Sequence, residues 1–414
     1  MASLGHTVVG IDVDDTRIGA LSRGEAPFFE PGLDELLRAG VQAGSLHFST
    51  DISDAADSDV HFIAVGTPQS ESGAADLGYV DAAIASLLPV LKPEALVVGK
   101  STVPVGYAAT AAERIETAGG RLAWNPEFLR EGFAVQDTLA PDRLVYGVRD
   151  DDAAAVAALD AVYSTIVATG TPRLVMDFAT AELVKVAANA FLATKISFIN
   201  AMAEVADAVG ADVAQLADAI GYDGRIGRRF LNAGIGFGGG CLPKDIRGFV
   251  ARAGELGVGE SVEFLREIDA INLRSRARVV SRAVEAVGGD ATGRRIAVLG
   301  LAFKPDSDDV RDSPGLDVAV RLKALGAEVV AHDPEAIGNA RRRYPELEYA
   351  DELDDALRGA ELIVLATEWS LYRELDPEAA GALVARRRMI DGRNVLDATA
   401  WRASGWAYRG IGRP

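Results

Sequence analysis

The chain has 414 residues, 49% apolar and 25% charged, an ordinary globular composition with room for two or three domains. A formal net charge of −19 argues against nucleic acid or an anionic membrane surface as partner, and confines any anionic ligand to local clusters of basic residues. One cysteine excludes an intramolecular disulfide and fits a reducing, cytoplasmic compartment; with only four histidines, no metal site is expected. No apolar run is expected to reach the length of a membrane span, and residues 1–6 lack the basic and apolar regions of a signal peptide.

Residues 6–13 read as a buried strand ending in Asp12, followed by helices from Asp15 and from Gly32 to about Ala43. Strand signals recur at 46–48, 60–65, 95–99, 121–124 and 143–148, with alanine-rich helical stretches between several of them. That alternation predicts a parallel sheet covered by helices on both faces. Thr67-Pro68 and Ser101-Thr102-Val103-Pro104 close two strands, at the carboxyl ends where doubly wound sheets bind ligands. From Thr180 to about Gly210 the pattern is continuously helical, as it is again over 212–220 and 261–287. An all-helical middle of this kind serves as a spine or oligomer interface. A second α/β unit opens at Arg294, with further strands at 328–331, 362–366 and 389–390; its loop 301–314 carries Lys304, Arg311 and four aspartates.

A strand-end acid such as Asp12 suits a dinucleotide ribose, although it equally fits an ordinary turn. In dinucleotide folds that acid follows a G-x-G-x-x-G loop by about 20 residues. Only 11 residues precede Asp12 and none forms that loop. The first strand, the phosphate loop and most of the first helix are therefore expected to be absent, with 1–5 as the helix tail and weak dinucleotide binding as the consequence.

The segment 234–245, Gly-Ile-Gly-Phe-Gly-Gly-Gly-Cys-Leu-Pro-Lys-Asp, holds the single cysteine. Glycine lets another molecule approach the main chain, and Pro243 suits the first turn of a helix. Cys241 is thus expected at a helix N-terminus, where the macrodipole favours thiolate, so a nucleophile is preferred to a buried structural thiol. Three i, i+4 pairs accompany it: Glu127/Glu131, Lys185/Asn189 and Cys241/Asp245. Each alone also fits a solvated face, a surface ion pair or a helix cap.

Together, Asn125–Gly132, Lys185/Asn189, Gly236–Asp245, Lys304 and Arg311 within 303–311, and Asp391-Gly392-Arg393 resemble the UDP-glucose/GDP-mannose dehydrogenase family over essentially the whole chain. The resemblance implies two Rossmann-like doubly wound α/β domains joined by an all-helical region. Expected boundaries are 1–178 (NAD-binding, truncated at its N-terminus), 179–288 (helical, dimerising) and 289–414 (UDP-sugar-binding). It implies oxidation of a sugar-nucleotide C6 alcohol to a carboxylate with two NAD⁺. UDP-glucose is the preferred substrate, with GDP-mannose, or an inactive nucleotide-sugar-binding homologue, as alternatives. By resemblance, Cys241 forms a thiohemiacetal and then a thioester, Asp245 serves the hydroxyl proton, and Lys185 with Asn189 stabilises the alkoxide. Glu127 activates the hydrolytic water, which Thr102 helps to place. Asp12, Arg17, Thr67, Thr102, Glu131 and Arg311 are implied near NAD. Glu127, Lys185, Asn189, Asn232, Phe237, Gly238, Lys304 and Arg393 are implied at the nucleotide-sugar, with Arg225 reaching across from a neighbouring subunit of a homodimer.

Overall fold

Continuous apolar runs become buried parallel strands, because a strand covered on both faces has no solvent side on which to alternate. The computed structural model describes residues 1–70, 73–149 and 152–414, and among these the strands form three sheets. The chain divides into two units: 1–188 with 247–259, and 189–246 with 260–414.

In the first unit β1 (Val8–Ile11) pairs in parallel with β2 (Leu46–Ser49). A separate five-stranded sheet runs in chain order through β3 (Val60–Ile63), β4 (Leu96–Gly99), β5 (Arg121–Trp124), β6 (Leu144–Gly147) and β7 (Arg173–Met176). Two readings need correction. The first strand is half-buried along its length, not buried, since a two-stranded sheet leaves it open to solvent. The second sheet is not wholly parallel: β6 meets β5 antiparallel at Trp124 and Gly147. Ahead of β1, a 3₁₀ turn over Ala2–Leu4 is closed by Gly5 at φ 95°. Met1 and Leu4 pack against an apolar cluster that includes Tyr146, Leu159 and Ile166. All four residues of β4 are buried, and each large aliphatic side chain so enclosed contributes about 1.5–3 kcal/mol. Strand β4 thereby holds its carboxyl-end loop on a rigid base.

The second unit contains an all-parallel six-stranded sheet in the order β10-β9-β8-β11-β12-β13. These strands are β8 (Arg295–Leu299), β9 (Glu328–His332), β10 (Glu348–Tyr349), β11 (Leu362–Leu365), β12 (Arg388–Asp391) and β13 (Ala407–Arg409). Chain order reverses between β8 and β11, the topological switch point at which such sheets leave a crevice. The 301–314 loop follows β8, and Gly392-Arg393 follows β12, so both leave carboxyl ends of the same sheet.

Helix Phe178–Val209 begins in the first unit and ends in the second. By length and composition it could cross a bilayer, contrary to the expectation that no run is long enough, because its few charges are widely spaced. Its buried polar side chains instead serve the fold. Ser197 donates to the Ile268 carbonyl and Asn200 accepts from the Gly234 N–H, both at 2.8 Å.

Candidate active site

In the first unit Thr67, Thr102 and Glu127 with Glu131 lie on the loops after β3, β4 and β5, and Lys185 on helix Phe178–Val209. Asn125 follows β5 directly and is almost fully buried; Pro126 and Glu127 come next. One Glu127 oxygen accepts from the Leu129 N–H at 2.6 Å and the other from the Lys185 ammonium at 3.0 Å. Lys185 is only 6% exposed, and its charge also lies over the Phe128 ring, as does that of Arg143. A buried lysine on one carboxylate and one aromatic face is a fixed point charge in a region of low dielectric. Thr67 is buried and donates to the Thr102 carbonyl at 2.9 Å, tying together the loops after β3 and β4. From the lysine's own helix, Glu182 accepts the N–H groups of Gly106 and Ala108 at 2.6 and 2.7 Å, capping helix Tyr107–Thr117. Glu131 is half-buried on the turn that follows Glu127.

At the end of β1, Asp12 pairs with Arg17 at 2.6 Å. Burial alone would raise the Asp12 carboxyl, but the Arg17 hydrogen bond and charge outweigh it and hold the group below its ordinary value. An ionised carboxylate at a parallel strand's carboxyl end fits a ribose diol, and it repels a 2′-phosphate. The donor set therefore suits NAD rather than NADP.

In the second unit helix Leu242–Glu255 starts immediately after Cys241, which is exposed at that helix's N-terminus as expected. The Asp245 N–H closes the first turn onto the Cys241 carbonyl at 2.9 Å. Asp245 itself is 4% exposed, and its two oxygens accept from Asn189 at 2.6 Å and Lys244 at 2.7 Å. Carboxylate and carboxamide are thus held together, one helical turn from the cysteine. The glycine loop before the cysteine is clamped by two residues of helix Phe264–Ala286, Asn272 and Arg276, for which the sequence pattern predicts no role. Asn272 bonds both the N–H and the carbonyl of Phe237, and buried Arg276 bridges that carbonyl to Asp312. Two glycines are required by this packing. Gly236 has φ 105°, and a β-carbon at Gly238 would lie 2.2 Å from the Asp312 carbonyl oxygen. Because that obstacle is backbone, Gly238→Ala is expected to destabilise the protein by about 1–3 kcal/mol. Gly254→Ala, in open helical space, should instead be neutral or stabilising by about 0.5–1 kcal/mol. Urea midpoints of the two variants provide the check.

The remaining residues are placed less uniformly. The Arg393 guanidinium donates to the carbonyls of Gly236 and Ala366 at 2.8 and 2.7 Å, so it braces the glycine loop against the sheet. Lys304 lies over the Phe303 ring, while Arg311 pairs with Asp309 and packs against Gly240. Asn232 accepts from Arg228 at 2.8 Å. Arg225 stands apart from these groups, with its side chain 89% exposed and paired with Asp223.

Residues 1–167 match the NAD binding domain of the UDP-glucose/GDP-mannose dehydrogenase family, 179–274 its central domain and 297–398 its UDP binding domain. The chain belongs to this family. It is 42% identical to a UDP-glucose 6-dehydrogenase of Rhizobium meliloti over 420 residues, covering 100% of this chain and 95% of that one. It is 40% identical to the UDP-glucose 6-dehydrogenase TuaD of Bacillus subtilis, of which it covers 89%. A solved UDP-glucose dehydrogenase from Pyrobaculum islandicum superposes with a TM-score of 0.89 at 38% identity, over 100% of this chain and 94% of that one. Family membership accounts for an NAD binding domain on the first α/β unit and a UDP binding domain on the second.

Proposed function

We propose that the protein oxidises the C6 alcohol of UDP-glucose to the carboxylate of UDP-glucuronate. The observation that carries this reading is exposed Cys241 at a helix N-terminus, one turn before the Asp245 that is bonded to Asn189. A thiol there has no purpose in a one-step alcohol oxidation, but it is needed to hold an aldehyde for a second one. NAD⁺, when bound, supplies the hydride acceptor for both oxidations, with Asp12, Arg17, Thr67, Thr102, Glu131 and Arg311 as the residues that would hold it.

The chain's own residues supply the rest. Asp245, or a water bonded to it, accepts the hydroxyl proton as the alcohol becomes an aldehyde. The Cys241 thiolate then adds to the aldehyde carbon, forming a C–S bond and an alkoxide that the Lys185 ammonium and the Asn189 carboxamide stabilise. Collapse of that adduct to the thioester completes the second oxidation. Glu127 takes a proton from water as it attacks the thioester carbon, the C–S bond breaks, and Cys241 leaves as thiolate. Phe237 and Gly238 would line the sugar side, with Asn232, Lys304 and Arg393 nearer the nucleotide. The three-part division at 1–178, 179–288 and 289–414 would then separate cofactor, dimerisation and nucleotide-sugar roles.

Exposed Phe191, Phe198 and Val205 repeat every seven residues along helix Phe178–Val209, an apolar stripe suited to a second copy of the chain. In such a homodimer exposed Arg225 would be available to the neighbouring subunit's diphosphate. Release of two NADH per UDP-glucose, with GDP-mannose turned over more slowly, is the expected result. No turnover of either sugar nucleotide would reject the reading, faster turnover of GDP-mannose would move the substrate, and a monomer by light scattering would remove the dimer.

A further inference from the structure

Lys100 lies outside every role assigned above. It follows β4 directly, and its backbone N–H donates to the Ile63 carbonyl at 2.9 Å. Its ammonium donates to the Asn125 side-chain oxygen at 3.0 Å, with the Tyr163 hydroxyl 3.4 Å away. Tyr163 donates to the same Asn125 oxygen at 2.7 Å, while the Asn125 amide nitrogen donates to the Val145 carbonyl at 2.8 Å. No carboxylate stands within ion-pair distance of Lys100 among the described residues, and this half-buried ammonium rests on neutral groups alone, with the Tyr163 ring centre 6.0 Å away. The cation is spent on a neutral carboxamide, and that carboxamide begins the turn carrying Glu127 to Lys185.

We propose that Lys100 is a positioning residue: its ammonium pins Asn125, and through Asn125 and Pro126 the turn that presents Glu127 to Lys185. Pro126 has a fixed φ, so a rigidly held Asn125 leaves little freedom before Glu127. A charged donor makes roughly twice as strong a hydrogen bond as a neutral one, so the grip on Asn125 depends on the Lys100 charge. Burial pushes the Lys100 amine down to about 8, with the Glu127 charge opposing that shift and the Lys185 charge adding to it. Tyr163, the third titratable group facing it, is pushed upward by burial and stays protonated as a donor. Raising the pH through about 8 therefore discharges Lys100 and loosens the turn.

The inference rests on the reading of Glu127 and Lys185 as active-site groups, and two measurements separate its failure from the failure of that reading. The first follows ¹³Cε signals of labelled lysine, of which the chain has seven, in the wild-type protein and in Lys100→Arg and Lys100→Met. One signal is expected to titrate near pH 8 and to vanish in both variants; if Lys100→Arg does not fold, Lys100→Met alone makes the assignment. A Lys100 signal that stays fully charged past pH 9.5 overturns the inference, whether or not the protein turns over UDP-glucose. The second compares kcat against pH. Wild-type kcat should drop about fivefold through pH 8 relative to Lys100→Arg, whose charge persists. Lys100→Met should be low at pH 7 and converge on the wild type above pH 9. Variant-to-wild-type ratios that do not change with pH would mean a merely structural lysine and would also overturn it.

Discussion

Replacing Cys241 with alanine is expected to cut conversion of UDP-glucose to UDP-glucuronate by at least about a thousandfold, while a first, single oxidation survives. Alanine leaves the surrounding lattice in place. Cys241 is exposed, its carbonyl still closes the first helical turn, and Asp245 keeps Asn189 and Lys244. What disappears is the atom able to hold the aldehyde covalently, so rapid-quench sampling should find one NADH per active site and free or hydrated aldehyde instead of two NADH and acid. Unfolding midpoints should match the wild type within about 0.5 kcal/mol, as for other exposed positions. If Cys241→Ala releases two NADH per sugar at the wild-type rate, no thioester lies on the path.

The same group shows which parts of the site were legible in the sequence. Glycines, a proline and an acid around one cysteine are a local pattern, and a local pattern gives the helix start at Leu242 and the i, i+4 relation of Cys241 to Asp245. Buried strands such as β4 and β11 were equally plain, because four consecutive apolar residues have few other uses. Edge strands were not. β10 has only two residues, and β7 is a run of three apolar residues, Leu174 to Met176, that ends two residues before a long helix and is exposed over Leu174 and Val175. Strand direction leaves no trace in periodicity, so the antiparallel β5–β6 step is not legible in the sequence. Asn272 and Arg276 are obscure for another reason: they meet Phe237 across 35 and 39 residues of chain. The available signal was a pair of polar residues four apart on the core-facing side of an amphipathic helix, where an unsatisfied amide or guanidinium would be costly. Lys185 gives that signal more plainly, since lysine among small apolar residues stands out more than asparagine does.

Lys185→Met is expected to lower kcat by about 10²–10³ with little change in UDP-glucose affinity, because a fixed ammonium acts on charge that develops only as the alkoxide forms. Methionine fills a similar volume beside Phe128 without the charge, so packing loss contributes little. Glu127 is the complication. Its oxygen at 3.0 Å from the ammonium loses its partner, leaving the Leu129 N–H as the bond that still holds the carboxylate. Part of the Lys185→Met deficit therefore belongs to a displaced Glu127, and Glu127→Gln should show the reciprocal effect. A double-mutant cycle separates the contributions: two residues sharing one hydrogen bond should couple by about 0.5–3 kcal/mol, so the double variant loses less than the product of the two single losses. Strict multiplicativity would mean that the bond between them does not persist during turnover. Lys185 and Glu127 would then act at different steps as independent groups.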